Sequence, residues 1–168
     1  RPVAAPSANL FGRPSPVTAQ QVLDDLDDRI DIVIDGGRTV IGVESTVVDL
    51  TQSSPTILRP GGVGIERLRA IIKGVGIYKQ GPILSPGMYP RHYAPKAKVI
   101  LVEGDGEVQI KNVFKIASEF EKKGYRFGIM VKEEHKKNFS KFNVKTLGPG
   151  DDLTICAANL FSVLREFD

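Results

Sequence analysis

The sequence predicts an α/β protein in two parts, residues 1–75 and 97–168, joined by an irregular connector over 76–96. Three observations carry this. In the first part, short β-rich runs closed by proline and glycine alternate with helical stretches. In the second, near-continuous apolar strands alternate with amphipathic helices, which is the pattern of a parallel, doubly wound sheet. Between them, "VGIYKQGPILSPGMYPRHYAPKA" holds four prolines and three glycines and keeps no sustained period, as an extended spacer does.

Each element has its own signal. "VAAP" reads as a short buried strand that proline forces into an extended exit. "SPVTAQQVLDDL" offers Thr18 as an N-cap and places Val22, Leu23 and Leu26 at helical spacing. "IDIVIDGG" alternates Ile30, Ile32 and Ile34 with acidic residues before Gly36 and Gly37, a half-buried strand. "ESTVVDL" and "TILRPGG" are two further strands, and "GIERLRAII" is a short helix. Past the connector, "KVILVEG" and "RFGIMVK" predict buried strands and "KFNVKTLG" a third strand. "NVFKIASEFEKKG" predicts a helix stopped at Gly124, and "DDLTICAANLFSVLREF" a final helix. "VEGDGEV" contains only a Gly-Asp-Gly turn, so a dinucleotide fingerprint is missing after the first of these strands.

Composition sets the boundaries of function. Of 168 residues, 41% are hydrophobic and 26% charged, as in ordinary soluble domains. No apolar run approaches the roughly 20 residues a bilayer span needs, and no secretory pattern is visible, so the expected location is the cytoplasm, away from membranes. The single cysteine, Cys156, excludes an internal disulfide and a multi-cysteine metal site; its apolar helical surroundings predict a buried, inert thiol. The net charge of +3 is uneven, −1 over residues 1–75 and +4 over 76–168. A solvated lysine-rich face explains the basic half, and weak RNA binding is the alternative.

Four segments can carry chemistry. "APSANLFGRPSP" sets Ser7, Asn9 and Ser15 in a turn made rigid by Pro6 and Pro14 and freed at Gly12. Such a turn can cradle phosphate or carboxylate oxygens, or it can simply be well capped. In "GVESTVVDL", Ser45 can bind a carboxylate or hydroxyl, while Glu44 and Asp49 can hold a metal or an amine; alternation can equally place all three on a wet sheet face. "ILRPGG" puts Arg59 at a strand end before a stiff turn, where a guanidinium can fork onto phosphate. "YPRHYAP" groups His92 with Tyr89, Arg91 and Tyr93, suited to stacking on a base or to anchoring the connector.

Taken in order, "APSANLFGRPSP", "IDIVIDGG", "GVESTVVDL", "ILRPGG" and "SPGMYPRHYAP" resemble the threonylcarbamoyl-AMP synthases, the YrdC-like family in its longer, two-domain form. The likeness implies the C-terminal part of a YrdC-like twisted-sheet α/β domain, a Pro/Gly-rich linker, and a Rossmann-like parallel α/β accessory domain. It implies a nucleotidyltransferase that joins L-threonine, bicarbonate and ATP into threonylcarbamoyl-AMP with release of pyrophosphate. A separate complex then passes the threonylcarbamoyl group to tRNA beside the anticodon. By motif, Ser7, Asn9, Ser15 and Arg59 match nucleotide-contacting positions, with His92 and Tyr93 on a segment that folds over the pocket. Ala5 and Ser45 match positions lining the threonine pocket. Mg²⁺ is expected on the ATP phosphates, with no permanently bound cofactor or protein-held metal, and no residue stands out as catalytic base. The chain departs from the family in lacking its N-terminal Lys-x-Arg signature and the accessory domain's last strand and helix. The expectation is therefore an internal fragment or half of a split system, incomplete by itself. The rival readings are a non-catalytic RNA-binding module, a hydrogenase-maturation carbamoyltransferase, which the lack of cysteine-rich zinc modules disfavours, and an inactive piece.

Overall fold

A computed structural model describes residues 1–89 and 91–168; Pro90, in the predicted connector, lies outside the described residues. The chain divides into two compact units, Arg1–Ala94 and Pro95–Asp168. The predicted spacer is therefore not a separate body: residues 76–94 belong to the first unit. The reason is local, since Gly76 and Ile77 pair with a strand instead of running free.

In the first unit, helix α1 spans Ala19–Leu26. Thr18 caps it by accepting the Gln21 N–H at 3.3 Å, and Gln21 reaches back to the Val17 N–H at 2.8 Å. Strands β1 (Val47–Asp49), β2 (Thr56–Arg59) and β3 (Gly76–Ile77) form one sheet in that order. β1 and β2 are antiparallel with a register irregularity between Val47 and Val48, and β2 and β3 are parallel. The irregularity bends the strand and sets Arg59 opposite Val47, next to the chain entering β1. Helix α2 (Ile65–Arg69) follows β2. Val17, Ile57, Val75 and Pro14 are the buried apolar anchors of this unit.

The second unit is built around longer helices. α3 covers Gly106–Lys122 and stops where Gly124 adopts φ 68°, as the sequence predicts for that glycine. Strands β4 (Ile129–Val131) and β5 (Val144–Thr146) run parallel, linked through a 3₁₀ helix at Glu133–Phe139. Ala117, Ile129 and Phe139 form the core, with Ile110, Val113, Phe127, Val131, Phe142 and Val144 packed around it. Helix α4 (Leu153–Glu166) is capped by Asp152, which accepts the N–H groups of Thr154 and Ile155. Cys156 is buried in α4, its thiol donating to the Pro149 carbonyl.

Three predicted strands are corrected. "VAAP" is extended but exposed, with Val3 at 89% of its free surface. "IDIVIDGG" forms no strand, and Ile32 and Ile34 are 81% and 90% exposed. "KVILVEG" likewise stays outside any ladder, with Leu101 80% exposed. An alternating or apolar run becomes a buried strand only where a neighbour supplies backbone partners and a covering face. Among the described residues these runs enter no sheet, and the Val102 carbonyl is met instead by the Gln109 side chain at 2.7 Å.

Candidate functional site

The candidate site in the first unit is a polar network organised by Arg59. Its position follows from β2, which delivers the side chain at the strand's last residue, before the stiff Pro60-Gly61-Gly62 turn. Four of the guanidinium's five N–H groups are hydrogen-bonded. Nε donates to the Ser45 carbonyl at 3.0 Å and Nη2 to Ser45 Oγ at 2.9 Å. Nη1 donates to Tyr93 Oη at 2.8 Å and to the Pro86 carbonyl at 3.2 Å. Glu44 completes the set with a carboxylate oxygen 3.7 Å from Nη2, and its other oxygen accepts the Ser15 hydroxyl. Four segments far apart in sequence, around Ser15, Glu44, Arg59 and Tyr93, thus meet at one ionic hydrogen-bond network.

Backbone geometry makes this convergence possible. The Gly62 N–H donates to the Glu44 carbonyl at 2.8 Å, and Thr46 Oγ1 donates to the Val63 carbonyl at 2.7 Å. A Cβ at Gly61 would lie 2.6 Å from the Thr46 nitrogen, so only glycine lets the turn approach the start of β1 this closely. Gly87, at φ 97°, does the same for the connector: a Cβ there would sit 2.6 Å from Arg59 Cδ and 2.9 Å from Tyr93 Oη.

Tyr93 itself adopts φ 54°, an uncommon conformation for a side chain of this size. Two bonds hold it there, the Arg59 contact and the following Ala94 N–H donating to the Gly12 carbonyl at 2.8 Å. Burial pushes the phenol's pKa up and the nearby Glu44 charge pushes the same way, against the opposing pull of Arg59. Tyr93 therefore stays a neutral hydroxyl, accepting from Arg59 with its own proton in place.

The connector's aromatic residues pack on the "SANLFGR" turn. His92 meets Tyr93 edge-on at 4.0 Å between centroids, and Phe11 meets both Tyr89 and His92 edge-on at 5.5 and 5.4 Å. The turn is anchored from below by Arg13, which forms an ion pair with Asp25 of α1; the Asp25 side chain is fully buried. Sequence reading passed over Arg13, Asp25 and Phe11. An ion pair twelve residues apart, between a turn and a helix, leaves no periodic signal.

Of the residues singled out from the sequence, Ser15, Ser45, Arg59 and Tyr93 are brought into the network directly, and His92 packs against it. Asn9 lies on the aromatic-bearing turn, where its amide donates to the Leu10 and Arg13 carbonyls. Ala5 and Ser7 lie on the exposed N-terminal segment, and the hydrogen bonds of the network do not reach them. Glu44 faces Ser15 and Arg59 rather than a metal or amine. Asp49 is committed to its own turn, accepting from the Thr51 N–H at 2.8 Å and hydroxyl at 2.7 Å, and these bonds lower its pKa. Among the described residues no group of three or more His, Cys, Asp or Glu side chains could hold a metal ion. No helix there is long and apolar enough to cross a membrane.

A mixed α/β unit presenting guanidinium, hydroxyl and amide groups at strand ends and turns is the architecture of a ligand-binding enzyme domain. Comparison with known proteins gives the family. The profile described as "Threonylcarbamoyl-AMP synthase, C-terminal domain" matches residues 63–168, and the one described as "Telomere recombination" matches residues 1–61. The chain is 42% identical to the threonylcarbamoyl-AMP synthase of Bacillus subtilis, covering 99% of this chain and 49% of that protein. It is 38% identical to the Pyrococcus abyssi synthase over 100% of this chain and 49% of that one. The Schizosaccharomyces pombe synthase is 34% identical over 99% and 45%. The crystal structure of P. abyssi Sua5 complexed with L-threonine superposes with a TM-score of 0.86 at 40% identity, covering 99% of this chain and 49% of that one. The chain belongs to the threonylcarbamoyl-AMP synthase family, and it spans about half the length of the curated relatives it matches.

Proposed function

We propose that this chain is part of an L-threonylcarbamoyladenylate synthase, which converts L-threonine, bicarbonate and ATP into threonylcarbamoyl-AMP and pyrophosphate. The observation that carries the reading is the Arg59 network, in which four motif segments of that family meet around one guanidinium. Likeness to a family member crystallised with L-threonine supports it further. The product would go to a separate complex that modifies tRNA beside the anticodon, in the cytoplasm.

In this reading threonine's amine adds to the carbon of bicarbonate with loss of water, and an oxygen of the resulting carbamate attacks the α-phosphorus of ATP, expelling pyrophosphate. The residues present suit positioning and charge neutralisation rather than covalent catalysis. Ser45, held by Arg59 through both its carbonyl and its hydroxyl, presents a fixed oxygen to the amino acid. Ser15 and Arg59 face the nucleotide, with Asn9 and the exposed Ser7 on the preceding segment and Ala5 on the threonine side. His92 and Tyr93 cover the pocket. The second Nη2 hydrogen of Arg59 faces Glu44 at 3.7 Å, beyond hydrogen-bond range, so a phosphate can take that donor or displace one of the present partners. The connector contacts, Tyr93 and the Pro86 carbonyl, are the partners such a phosphate would displace. Glu44 and Asp49 are occupied as described, and Mg²⁺ would arrive on the ATP phosphates as part of the substrate.

Titration calorimetry of the full-length protein with ATP and with L-threonine tests the reading. Saturable binding of both, with threonine-dependent pyrophosphate release, is expected. Binding of RNA that collapses with salt, without any response to threonine, would mark the chain as a nucleic-acid module and end the proposal.

A further inference from the structure

Glu44 is the member of the Arg59 network that the reaction chemistry does not call for. A carboxylate beside a guanidinium offered to phosphate repels that phosphate, so its presence needs a reason. Holding the backbone is not that reason. The Glu44 carbonyl already accepts the Gly62 N–H at 2.8 Å, and the Thr46 hydroxyl donates to the Val63 carbonyl at 2.7 Å. These bonds tie the start of β1 to the Pro60-Gly61-Gly62 turn without help from the carboxylate.

The carboxylate instead joins two side chains from other segments. One oxygen accepts the hydroxyl of Ser15, 29 positions away, and the other lies 3.7 Å from Arg59 Nη2. The Glu44 side chain is 19% exposed and that of Arg59 12%, so water screens the pair only in part. The same charge adds to burial in raising the Tyr93 pKa.

Counting hydrogens shows what this does to the site. A hydroxyl has one proton, and Ser15 gives its proton to a carboxylate, which only accepts; Ser15 Oγ therefore meets a ligand with lone pairs alone. Its ligand partner is a donor, a hydroxyl or an amine, and not a phosphate oxygen. The remaining Nη2 hydrogen of Arg59 is turned toward Glu44 beyond hydrogen-bond range, which leaves it for an incoming anion at a fixed orientation.

We propose that Glu44 is a positioning residue: it sets Ser15 as a hydrogen-bond acceptor toward the substrates and keeps Arg59 aimed, at some loss of phosphate affinity. The inference rests on the reading of this network as the ATP site and adds a residue that acts through two others. Glutamine is the informative replacement, because it keeps the shape of glutamate and only one of its oxygens. Turned one way, its amide donates to Ser15 and reverses that hydroxyl's polarity; turned the other, it sets N–H against the guanidinium.

The experiment compares the full-length wild type with Glu44→Gln, Ser15→Ala and the double variant, by threonine-dependent pyrophosphate release and by calorimetry with inorganic tripolyphosphate. Glu44→Gln should lower kcat by about tenfold or more, the scale of one hydrogen bond to a charged group, while KM for ATP does not rise. Tripolyphosphate should bind this variant about two- to fivefold more tightly, since a nearby like charge is gone. Ser15→Ala should lower kcat to a similar degree. The double variant should stay within about threefold of Glu44→Gln, because both changes break one link. Wild-type kcat in either single variant would overturn the inference, as would losses that multiply in the double variant. Equal weakening toward ATP and tripolyphosphate, or a Glu44→Gln protein that no longer folds, would make the carboxylate a structural prop and also overturn it, leaving the ATP site standing. A wild-type protein that neither binds ATP nor releases pyrophosphate would remove the functional reading itself.

Discussion

The two units solve the problem of holding a chain together in opposite ways. The second has helices of 17 and 14 residues, and the longer one sets Ala117 in an apolar core with Ile129 and Phe139. The first has helices of 8 and 5 residues and strands of two to four. What gathers its loops is polar: the Arg13–Asp25 pair, the Ser15–Glu44 bond and the five-way engagement of Arg59. A hydrophobic core is non-directional and tolerates approximate placement, whereas a hydrogen-bond network fixes orientation. The unit that carries the site uses the directional device, and accepts an uncommon backbone conformation at Tyr93.

That contrast can be broken at either end. Phe139→Ala should be the most damaging change, costing about 3–5 kcal/mol of the second unit's stability through lost burial and a cavity; urea unfolding with probes in each unit would locate the loss. Asp25→Ala leaves Arg13 partly buried without its carboxylate and should cost about 3 kcal/mol, seen in the same experiment as a loss confined to the first unit. If Asp25→Ala instead unfolds nothing, the polar scaffold described for this unit is not what holds it. Arg59→Ala should weaken ATP binding by roughly 1.5–3 kcal/mol, the scale of a hydrogen bond to a charged group; unchanged ATP affinity would take Arg59 out of the site.

Tyr93→Phe removes one acceptor from Arg59 and should cost about 0.5–1.5 kcal/mol. It also carries a pH signature. Because the folded phenol has a raised pKa, the folded state holds its proton longer than the unfolded state does. The associated stability is present below about pH 10, the ordinary tyrosine value, and is lost as pH rises through the higher folded value. The wild-type protein should therefore lose stability over that alkaline range more steeply than Tyr93→Phe, and identical alkaline slopes would contradict the assignment. The smallest effect is expected at the surface pair Lys145–Glu166, where Lys145→Ala should change stability by less than about 1 kcal/mol.

Much of the local structure was legible in the sequence because its causes are local. Thr18 and Gly124 mark helix ends by chemistry that acts within a few residues, and the β-rich runs around Val48, Ile57, Met130 and Lys145 pair as strands. The misreadings share one cause. Ile30–Ile34 and Val99–Leu101 have the side-chain pattern of strands, but a strand is a relation between two segments, and pattern in one says nothing of the other's presence. In the connector, composition read as a spacer and the family likeness as a segment folding over the pocket; Gly76–Ile77 join β2 and Tyr93 reaches Arg59.

By itself, then, the sequence determined the kinds of chemistry available: which turns are stiff, which hydroxyls and guanidinium stand at strand ends, and which family the ordered motifs resemble. Only tertiary structure decided that Ser15, Glu44, Ser45, Arg59 and Tyr93 share one network while Asp49 serves its own turn. The physical reason is that capping and turn preferences act over a few residues. A network whose hydrogen bonds join residues 14 to 34 positions apart depends on strand register and on glycines that permit close backbone approach.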